Sequence, residues 1–421
     1  MRLIGYVVGV AMLLASLTAC EERRAGSPLP EGEFQFPAGV AVHPAGYALV
    51  TSSNFDLAFE SGSLRIVDLN GLRLSDLSTP DPADPSWSRF VLDDRSIGLD
   101  DFAGTIRLSA DGKLAVVADR SSNRLVLIDV YEDEDGIRLD CWPDGRRPEG
   151  AFPKCDGAMH LVKLAQDDPY DVLLSEVRSG GSLVARKATI SFLRSEFISV
   201  WQLPLAGDAD LPEKLFELEL GDDVAGGGDL AYSPVSDRVF VGSRYPGLSS
   251  NPIHYFEWGQ GASSVLRTED LFHDMLGSET RGLEFAEDGL TLAVLIRNPD
   301  TLIFLDTAPL LDGSPSLNVV GEVLVGDNPT TLRFFDGTFF VMDAKGDSIY
   351  AVDGRTMRLR AASEEICRGP YDMAFWQPGD VTWALVACFE DNTLSILDVD
   401  KDSPNFMEVV VRVGPSMDRD Y

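Results

Sequence analysis

A strand–turn–strand unit recurs along the chain and constrains the fold more than any other feature. "GVAVHPAGYALVTSSN" (39–54) places a short turn between two β-prone stretches. "TIRLSADGKLAVVADRSSNRLVLIDV" (105–130) repeats this order around an Asp-Gly turn and adds a third strand after a polar loop. Most of the turns carry Asp-Gly, Pro-Gly, Gly-Gly or a similar pair, which is the chemistry that a tight hairpin requires. The further copies lie at 170–205, where the unit is degenerate, and at 227–258, 281–307, 330–354 and 371–400.

A fourth strand follows most of these units, so each copy predicts a complete antiparallel sheet. The candidates are 88–94, 159–165, 213–220, 263–269, 317–326, 358–363 and 405–414. Seven units of four strands predict an all-β fold, a seven-bladed β-propeller with four-stranded blades. A pair of β-sandwiches is the alternative, and the repeated strand order argues against it.

The repeats resemble those of the YVTN family of β-propellers. "FPAGVAVHPAGYALVTSSN" carries the leading Pro and the turn, with "LVTS" in place of Tyr-Val-Thr-Asn. "LSADGKLAVVADRSSNRLVLIDV" carries Asp-Gly-Lys and the closing Ile128-Asp129, and "NTLSILDVD" closes the seventh unit with Leu397-Asp398. The resemblance spans most of 37–414 and is weakest at 131–226. It implies a propeller and leaves the function open, because propellers include both binding scaffolds and enzymes.

The N-terminus predicts export and lipidation. A positive Arg2 precedes an apolar stretch that is too short to span a membrane comfortably, and "LTAC" then ends at Cys20. This resembles the lipobox of bacterial lipoproteins, in which the signal peptide is cut before a Cys that receives acyl chains such as palmitate. The predicted boundaries are a signal peptide at 1–19, a lipidated Cys20 with a flexible tether at 20–36, and a propeller at 37–421. A secretory signal with a chance Cys is the alternative.

The predicted location is the cell envelope, with the protein held by its lipid anchor. Glu21 follows the lipobox Cys instead of the Asp that retains some lipoproteins at the inner membrane, which favours the outer membrane of a Gram-negative bacterium. The chain has 35 Lys and Arg against 68 Asp and Glu, a formal net charge of −33. Such an acidic chain disfavours binding to nucleic acid, and it disfavours contact with anionic lipid other than through the anchor.

Four cysteines remain after Cys20, and an even number in an exported chain predicts disulfides. Cys141 and Cys155 lie in one insertion, which we expect on the underside of the propeller. Cys367 and Cys388 flank the seventh unit's first two strands, in neighbouring loops of the top face. The expected pairs are therefore 141–155 and 367–388, with free buried thiols as the alternative.

The entrance of the central channel is the predicted binding region, because the first strand of every blade begins there. The candidate ligand-binding residues are Asp171, Asp229, Arg281, Tyr371 and Asp372, with Thr105 and Thr330 beside them. Alternatively, these groups satisfy one another and trapped water. The top loops are also expected to be relatively basic, through Arg120, Arg186, Lys187, Arg194, Arg244, Arg297, Lys345 and Arg368.

No catalytic motif stands out, and the four histidines fall in different blades, with His43 expected at the surface of a lower turn. The leading hypothesis is therefore a binding or assembly scaffold of the cell envelope, with an envelope protein or a small polar ligand as its partner. One alternative is a metal-dependent hydrolase of lactone-like substrates that uses Asp229 and Asp372 to hold a divalent cation. The other is a sensor of a small anion, read by Arg281. No further cofactor is expected.

Overall fold

Seven antiparallel sheets of the chain form a ring, as a seven-bladed propeller requires. The structure, a computed structural model, describes residues 26–72, 84–143, 145–205, 210–221, 224–246, 252–270, 278–314, 316–364 and 366–414. The predicted fold class is confirmed, and each blade is built from one continuous stretch of chain.

The strands of the first four blades follow the order expected from the sequence repeats. Blade 1 contains β1 (Pro37–His43), β2 (Tyr47–Ser52), β3 (Gly62–Asp68) and β4 (Ile97–Leu99). Blade 2 contains β5 (Ala103–Leu108), β6 (Leu114–Asp119), β7 (Arg124–Asp133), β8 (Gly136–Asp140) and β9 (Leu161–Lys163). Blade 3 contains β10 (Pro169–Ser179), β11 (Ser182–Phe192), β12 (Phe197–Leu203) and β13 (Glu213–Glu219). Blade 4 contains β14 (Val224–Ser233), β15 (Arg238–Pro246), β16 (Pro252–Glu257) and β17 (Arg267–Asp270).

The last three blades are the most regular. Blade 5 contains β18 (Glu279–Phe285), β19 (Thr291–Arg297), β20 (Thr301–Asp306) and β21 (Asn318–Leu324). Blade 6 contains β22 (Pro329–Phe335), β23 (Thr338–Asp343), β24 (Ser348–Asp353) and β25 (Arg358–Ser363). Blade 7 contains β26 (Pro370–Trp376), β27 (Trp383–Cys388), β28 (Thr393–Asp398) and β29 (Val409–Val413).

The hydrophobic core lies between the blades. Every residue of β6 and of β27 is buried, because neighbouring sheets cover both faces of these middle strands. Outer strands such as β21 are largely exposed. Burial on both faces explains why the middle strands are continuous apolar runs in the sequence.

Blade 1 closes the ring by packing directly against blade 7. One apolar cluster joins Phe34 and Val50 to Trp383 and Leu385. The backbone N–H of Phe36 also donates to Asn392 Oδ1 across this junction at 2.7 Å. Closure therefore depends on side-chain packing between the first and last blades.

Residues 26–36, which were expected to belong to the flexible tether, are packed against the body. Phe34 is fully buried, and the Gly32 N–H donates to Asp93 Oδ2 at 2.6 Å. The Arg65 guanidinium donates to the carbonyl oxygen of Pro30 at 3.0 Å. The ordered body thus begins before Pro37, and Cys20 lies outside the described residues.

The predicted fourth strands of blades 1 and 2 are partly wrong. Residues 88–94 lie in and after a 3-10 helix (Pro85–Phe90), whose N-terminus is capped by the side chain of Asp84. The fourth strand of blade 1 is instead β4, which pairs with residues 62–64. In blade 2 the outer edge is shared by β8 and β9, which both pair with β7, so 159–165 supplies half of that edge.

Both predicted disulfides are present, Cys141–Cys155 and Cys367–Cys388. The first closes the insertion between β8 and β9. This insertion runs along the outer edge of the ring, and not on its underside, because Lys154 forms a bridge with Gly98 of β4. The Lys154 ammonium reaches Asp100 at 3.2 Å, so the insertion ties blade 2 to blade 1.

The expected exposure of His43 and the expected location of Arg186 and Lys187 are also wrong. His43 is 2% exposed, since its Nδ1 accepts the Ala45 N–H and the β5–β6 turn covers its ring; burial lowers its pKa. Arg186 and Lys187 belong to the lower end of the long β10–β11 hairpin and not to the top loops. Arg186 is buried there and contacts Asp111 and Glu176. Among the described residues, no helix is long and apolar enough to cross a membrane.

Candidate functional site: the mouth of the channel

A cavity of about 240 Å³ opens at the mouth of the central channel, on the face that carries the connections between blades. We call this the top face. The side chains and backbone on the cavity wall come from blades 1, 2, 3, 4, 6 and 7. They are Ala38, Ser53, Phe55, Phe102, Ala103, Gly104, Thr105, Arg107, Arg120, Tyr170, Asp229, Thr331, Arg333, Tyr371, Asp372 and Phe389. Three of the five predicted ligand-binding residues, Asp229, Tyr371 and Asp372, therefore line one cavity.

Asp171 and Asp372 hold the blades together around this cavity by the same set of contacts. Asp171 accepts a hydrogen bond from Arg107 of the preceding blade at 2.7 Å and one from the Leu230 N–H of the following blade at 3.0 Å. Asp372 accepts from Arg333 at 2.6 Å and from the Val40 N–H at 3.1 Å. Each aspartate thus joins three consecutive blades.

The sequence around the two aspartates repeats as well. "PYD" occurs at 169–171 and at 370–372, and the preceding blades carry "TIR" at 105–107 and "TLR" at 331–333. Thr105 donates to the carbonyl oxygen of Tyr170 at 3.0 Å, and Thr331 donates to that of Tyr371 at 2.6 Å. Two junctions of the ring therefore use one motif pair, Thr-x-Arg followed by Pro-Tyr-Asp. The two copies of each motif are the sequence signal that marks these junctions.

Asp229 is a third aspartate at the same strand position, but its arginine is absent. In β14, Gly227 forms the last strand pair before a β-bulge, and Asp229 lies two residues after it. In β10, Pro169 forms the corresponding pair, and Asp171 lies two residues after it. In the preceding blade, the position equivalent to Arg107 and Arg333 is Leu173, four residues after the first pair of β10. Within the described part of the chain, the Asp229 carboxylate has no hydrogen bond or ion pair, although the residue is only 8% exposed.

Six first strands each contribute one charged side chain to the channel. This channel cluster consists of Arg107, Asp171, Asp229, Glu284, Arg333 and Asp372. Glu284 lies 3.7 Å from Arg333, and its side chain stays partly open to the channel. Because Arg107 is bound to Asp171, and Arg333 to Asp372 and more distantly to Glu284, Asp229 is the carboxylate of the cluster for which the described residues show no ion pair.

The pKa values of the Asp229 and Glu284 carboxyls reflect their environment. Desolvation by burial is the main cause that raises the pKa of Asp229 to about 7, with a further contribution from the charge of Asp171. Desolvation likewise raises the pKa of Glu284 to about 7, although the Arg333 charge opposes it. Both groups therefore change protonation state near neutral pH, where a ligand cation would favour their charged forms.

The upper wall of the cavity is aromatic. Phe55, Phe102 and Phe389 form edge contacts with centroid separations of 5.4–5.7 Å, and Tyr371 stacks on Phe389 at 5.3 Å. Phe55 is 54% exposed at the rim. Phe102 has a φ of 58°, an uncommon conformation for a residue with a side chain, and its N–H donates to the Ser53 carbonyl oxygen at 2.6 Å. We call Phe55, Phe102, Phe389 and Tyr371 the aromatic rim.

The remaining candidate, Arg281, lies apart from the cavity wall. Its Nη1 donates to Glu279 at 2.9 Å, and Arg244 Nε and Arg297 Nη1 reach the same carboxylate at 2.6 and 3.5 Å. Arg281 is buried, while Arg244 also stacks over the Tyr170 ring at 4.5 Å. Its ion-pair partner Glu279 lies two residues earlier on the same strand, and Arg281 is not among the residues on the cavity wall.

Other arginines that were expected in the top loops are likewise paired with carboxylates. Arg120 Nε donates to Asp168 at 2.6 Å, and Arg194 lies 3.6 Å from the same carboxylate. Arg368 is paired with Asp391 at 2.6 Å. The expected basic character of the top face is thus largely neutralised, which the sequence could not show because the acids come from other loops.

The two residues suggested for a divalent cation differ in their contacts. Asp372 accepts from Arg333 at Oδ1 and from the Val40 N–H at Oδ2, so both of its oxygens already have a hydrogen-bond partner. Across the ranges that the structure describes, no three His, Cys, Asp or Glu side chains are grouped as metal ligands.

Comparisons with known proteins identify the fold. The chain resembles Sqt1 of Saccharomyces cerevisiae at 12% identity and a TM-score of 0.56, covering 86% of this chain and 96% of that one. It also resembles hydrazine synthase of Kuenenia stuttgartiensis at 12% identity and a TM-score of 0.61, covering 91% and 99%.

A protein from Lactobacillus plantarum is similar at 13% identity and a TM-score of 0.53, covering 79% of this chain and 85% of that one. No protein-family model matches the chain, and no curated protein matches it. At these identities the similarity shows a common fold alone.

Proposed function

We propose that this chain is a lipid-anchored protein of the bacterial cell envelope whose propeller binds a small polar ligand at the mouth of its channel. The observation that carries the binding role is the cavity of about 240 Å³, whose wall combines aromatic side chains with the Asp229 carboxylate, which is unpaired among the described residues. A concave site with apolar walls and a few directed polar groups is the usual form of a small-molecule site.

The rigidity of the surroundings supports this role. Asp171 and Asp372 join six strands of the inner ring through Arg107, Arg333 and two backbone N–H groups. The walls of the cavity are therefore held in place before a ligand arrives, so binding requires little loss of conformational entropy in the protein.

A blocking substitution tests the binding role. Gly104 lines the cavity, and a Cβ added there would meet no heavy atom nearer than 3.4 Å. Small cationic, anionic and neutral compounds are tested on the full chain in detergent. We expect compounds of at least one charge class to raise the thermal unfolding midpoint, and we expect Gly104→Leu to lose this effect. If no compound of any charge class stabilises the protein, or if Gly104→Leu responds like the wild type, the binding role is wrong.

The lipid anchor is tested separately by fractionation. The "LTAC" sequence ending at Cys20 supports acylation of that thiol. We expect the wild type to incorporate labelled palmitate and to sediment with outer membranes, whereas Cys20→Ser does neither. Release of the unmutated protein with the soluble periplasmic fraction would contradict the anchor and leave the binding role intact.

A further inference from the structure

The charges that line the cavity indicate what the ligand carries. Arg107, Arg120 and Arg333 reach the wall, and each donates to a carboxylate at 2.7 Å or less. An anionic ligand would have to compete with Asp171, Asp168 and Asp372 for them. Whereas these arginines already have carboxylate partners, Asp229 is a buried acceptor for which the described residues provide no donor.

Two other junctions of the ring show what Asp229 lacks. At Asp171 and at Asp372, a guanidinium from the preceding blade neutralises the carboxylate. At Asp229 the preceding blade presents Leu173, whose side chain cannot donate. A buried carboxylate without a directly bonded cation is costly, so the position is suited to a cation supplied from outside.

The walls around this position suit an organic cation better than a bare ion. The aromatic rim and Tyr170 present ring faces and edges to the same cavity. Aromatic faces attract ammonium and guanidinium groups and cover the apolar part of a ligand. The net charge of −33 on the chain also raises the local concentration of cations.

We propose that the channel mouth binds a small organic cation with an apolar body, whose ammonium or guanidinium group pairs with Asp229 as Arg107 pairs with Asp171. This inference rests on the proposed binding role of the same cavity and names the class of its ligand. The apolar body lies against the aromatic rim, and the cation fills the place of the missing arginine.

The charged groups that surround Asp229 predict a pH dependence. Asp171 of β10 and Glu284 of β18 disfavour its ionisation, whereas Arg107 of β5 and Arg333 of β22 favour it. With a pKa raised to about 7, the Asp229 carboxyl is ionised in about one molecule in ten at pH 6 and about nine in ten at pH 8. Affinity for a cation should therefore rise about tenfold across this interval.

The test compares three probes that share a benzyl group: benzylamine, benzyl alcohol and phenylacetate. Binding to the full chain in detergent is measured by calorimetry at pH 6 and pH 8. We expect benzylamine to bind in preference to the other two, with about tenfold higher affinity at pH 8. Asp229→Asn should abolish this preference, while Asp312→Asn, at an exposed position after β20, should leave it unchanged.

A second variant keeps the test decisive if Asp229→Asn folds poorly. Leu173→Arg supplies the missing guanidinium within the protein, so it should also abolish benzylamine binding, whereas Leu173→Met should retain it. Preference for phenylacetate or benzyl alcohol would overturn the cation inference and leave the binding role standing. If none of the three probes binds, both the inference and the proposed binding role fail for this cavity.

Discussion

Arg333 of blade 6 donates to Asp372 of blade 7 at 2.6 Å, and Asp372 in turn accepts the N–H of Val40 in blade 1. The contact between Asp372 and Val40 joins the last blade to the first, where the ring closes. Arg107 and Asp171 repeat the same relationship between blades 2 and 3. The propeller is therefore joined at two separate places by one kind of ion pair, and stability should depend on both.

Removing one member of such a pair should be costly. Asp372→Asn leaves Arg333 with only Glu284, at 3.7 Å, as a charged partner, so the free energy of unfolding should fall by about 3 kcal/mol. Asp171→Asn should cause a similar loss. Urea denaturation monitored by tryptophan fluorescence measures both.

The matched control is an exposed ion pair of the same protein. Lys345 and Asp327 are 62% and 68% exposed, so Asp327→Asn should cost less than about 1 kcal/mol. Equal effects of Asp372→Asn and Asp327→Asn would show that the inner pairs contribute no more than surface charges.

The sequence predicted the ring well because the hairpin turns carry their own chemistry. Asp-Gly at 111–112 sits at the tip of the β5–β6 hairpin, where Gly112 has a φ of 74°. Blade 1 was harder, because Asp93 bonds to Gly32 and Arg65 and thereby draws 88–94 out of the sheet. These contacts cross 61 and 28 residues of the chain, so no local sequence pattern predicts them.

The candidate site was predictable only in part for a related reason. Asp171, Asp229 and Asp372 could be located from the start of each first strand. Their different roles depend on whether the preceding blade offers Arg or Leu173, which becomes visible only when blades are aligned by strand register. The pairing of Arg281 with Glu279 and of both Arg244 and Arg297 with the same carboxylate likewise depends on the packing of separate strands.

Asp229 should make stability depend on pH. Its pKa is raised from 3.8 in the unfolded chain to about 7 in the folded one. The stabilising contribution of the protonated form is therefore fully present below pH 3.8 and is lost as the pH rises through about 7. Asp229→Asn should gain stability relative to the wild type between pH 5 and pH 8, by an amount on the order of a few kcal/mol.

Urea unfolding at both pH values measures this difference. Asp312→Asn, at an exposed position, controls for the general effect of removing one negative charge. A difference between wild type and Asp229→Asn that stays constant from pH 5 to pH 8 would contradict the raised pKa.

Leu173→Arg should restore a partner to Asp229. The new guanidinium favours the ionised carboxylate, so the variant should lose less stability between pH 5 and pH 8 than the wild type. Leu173→Met, which adds no charge, should keep the wild-type pH dependence. If both variants behave alike, the equivalence of Leu173 with Arg107 and Arg333 is wrong.

The Cys141–Cys155 bond should stabilise the junction of blades 1 and 2. It closes a loop with a sequence separation of 14, for which chain entropy predicts a contribution of about 3 kcal/mol. The double variant Cys141→Ser, Cys155→Ser should unfold at correspondingly lower urea concentration. An unchanged midpoint would mean that the insertion is held by Trp142 and its neighbours without the covalent bond.

A crystal structure of the full chain grown at pH 8 with benzylamine tests the central claim most directly. The account predicts the amine nitrogen within hydrogen-bonding distance of an Asp229 carboxylate oxygen and the benzyl ring against Phe102 or Tyr371, with no such density in Asp229→Asn. An amine bound elsewhere on the propeller, or a channel mouth that stays free of it at saturating concentration, would contradict the account.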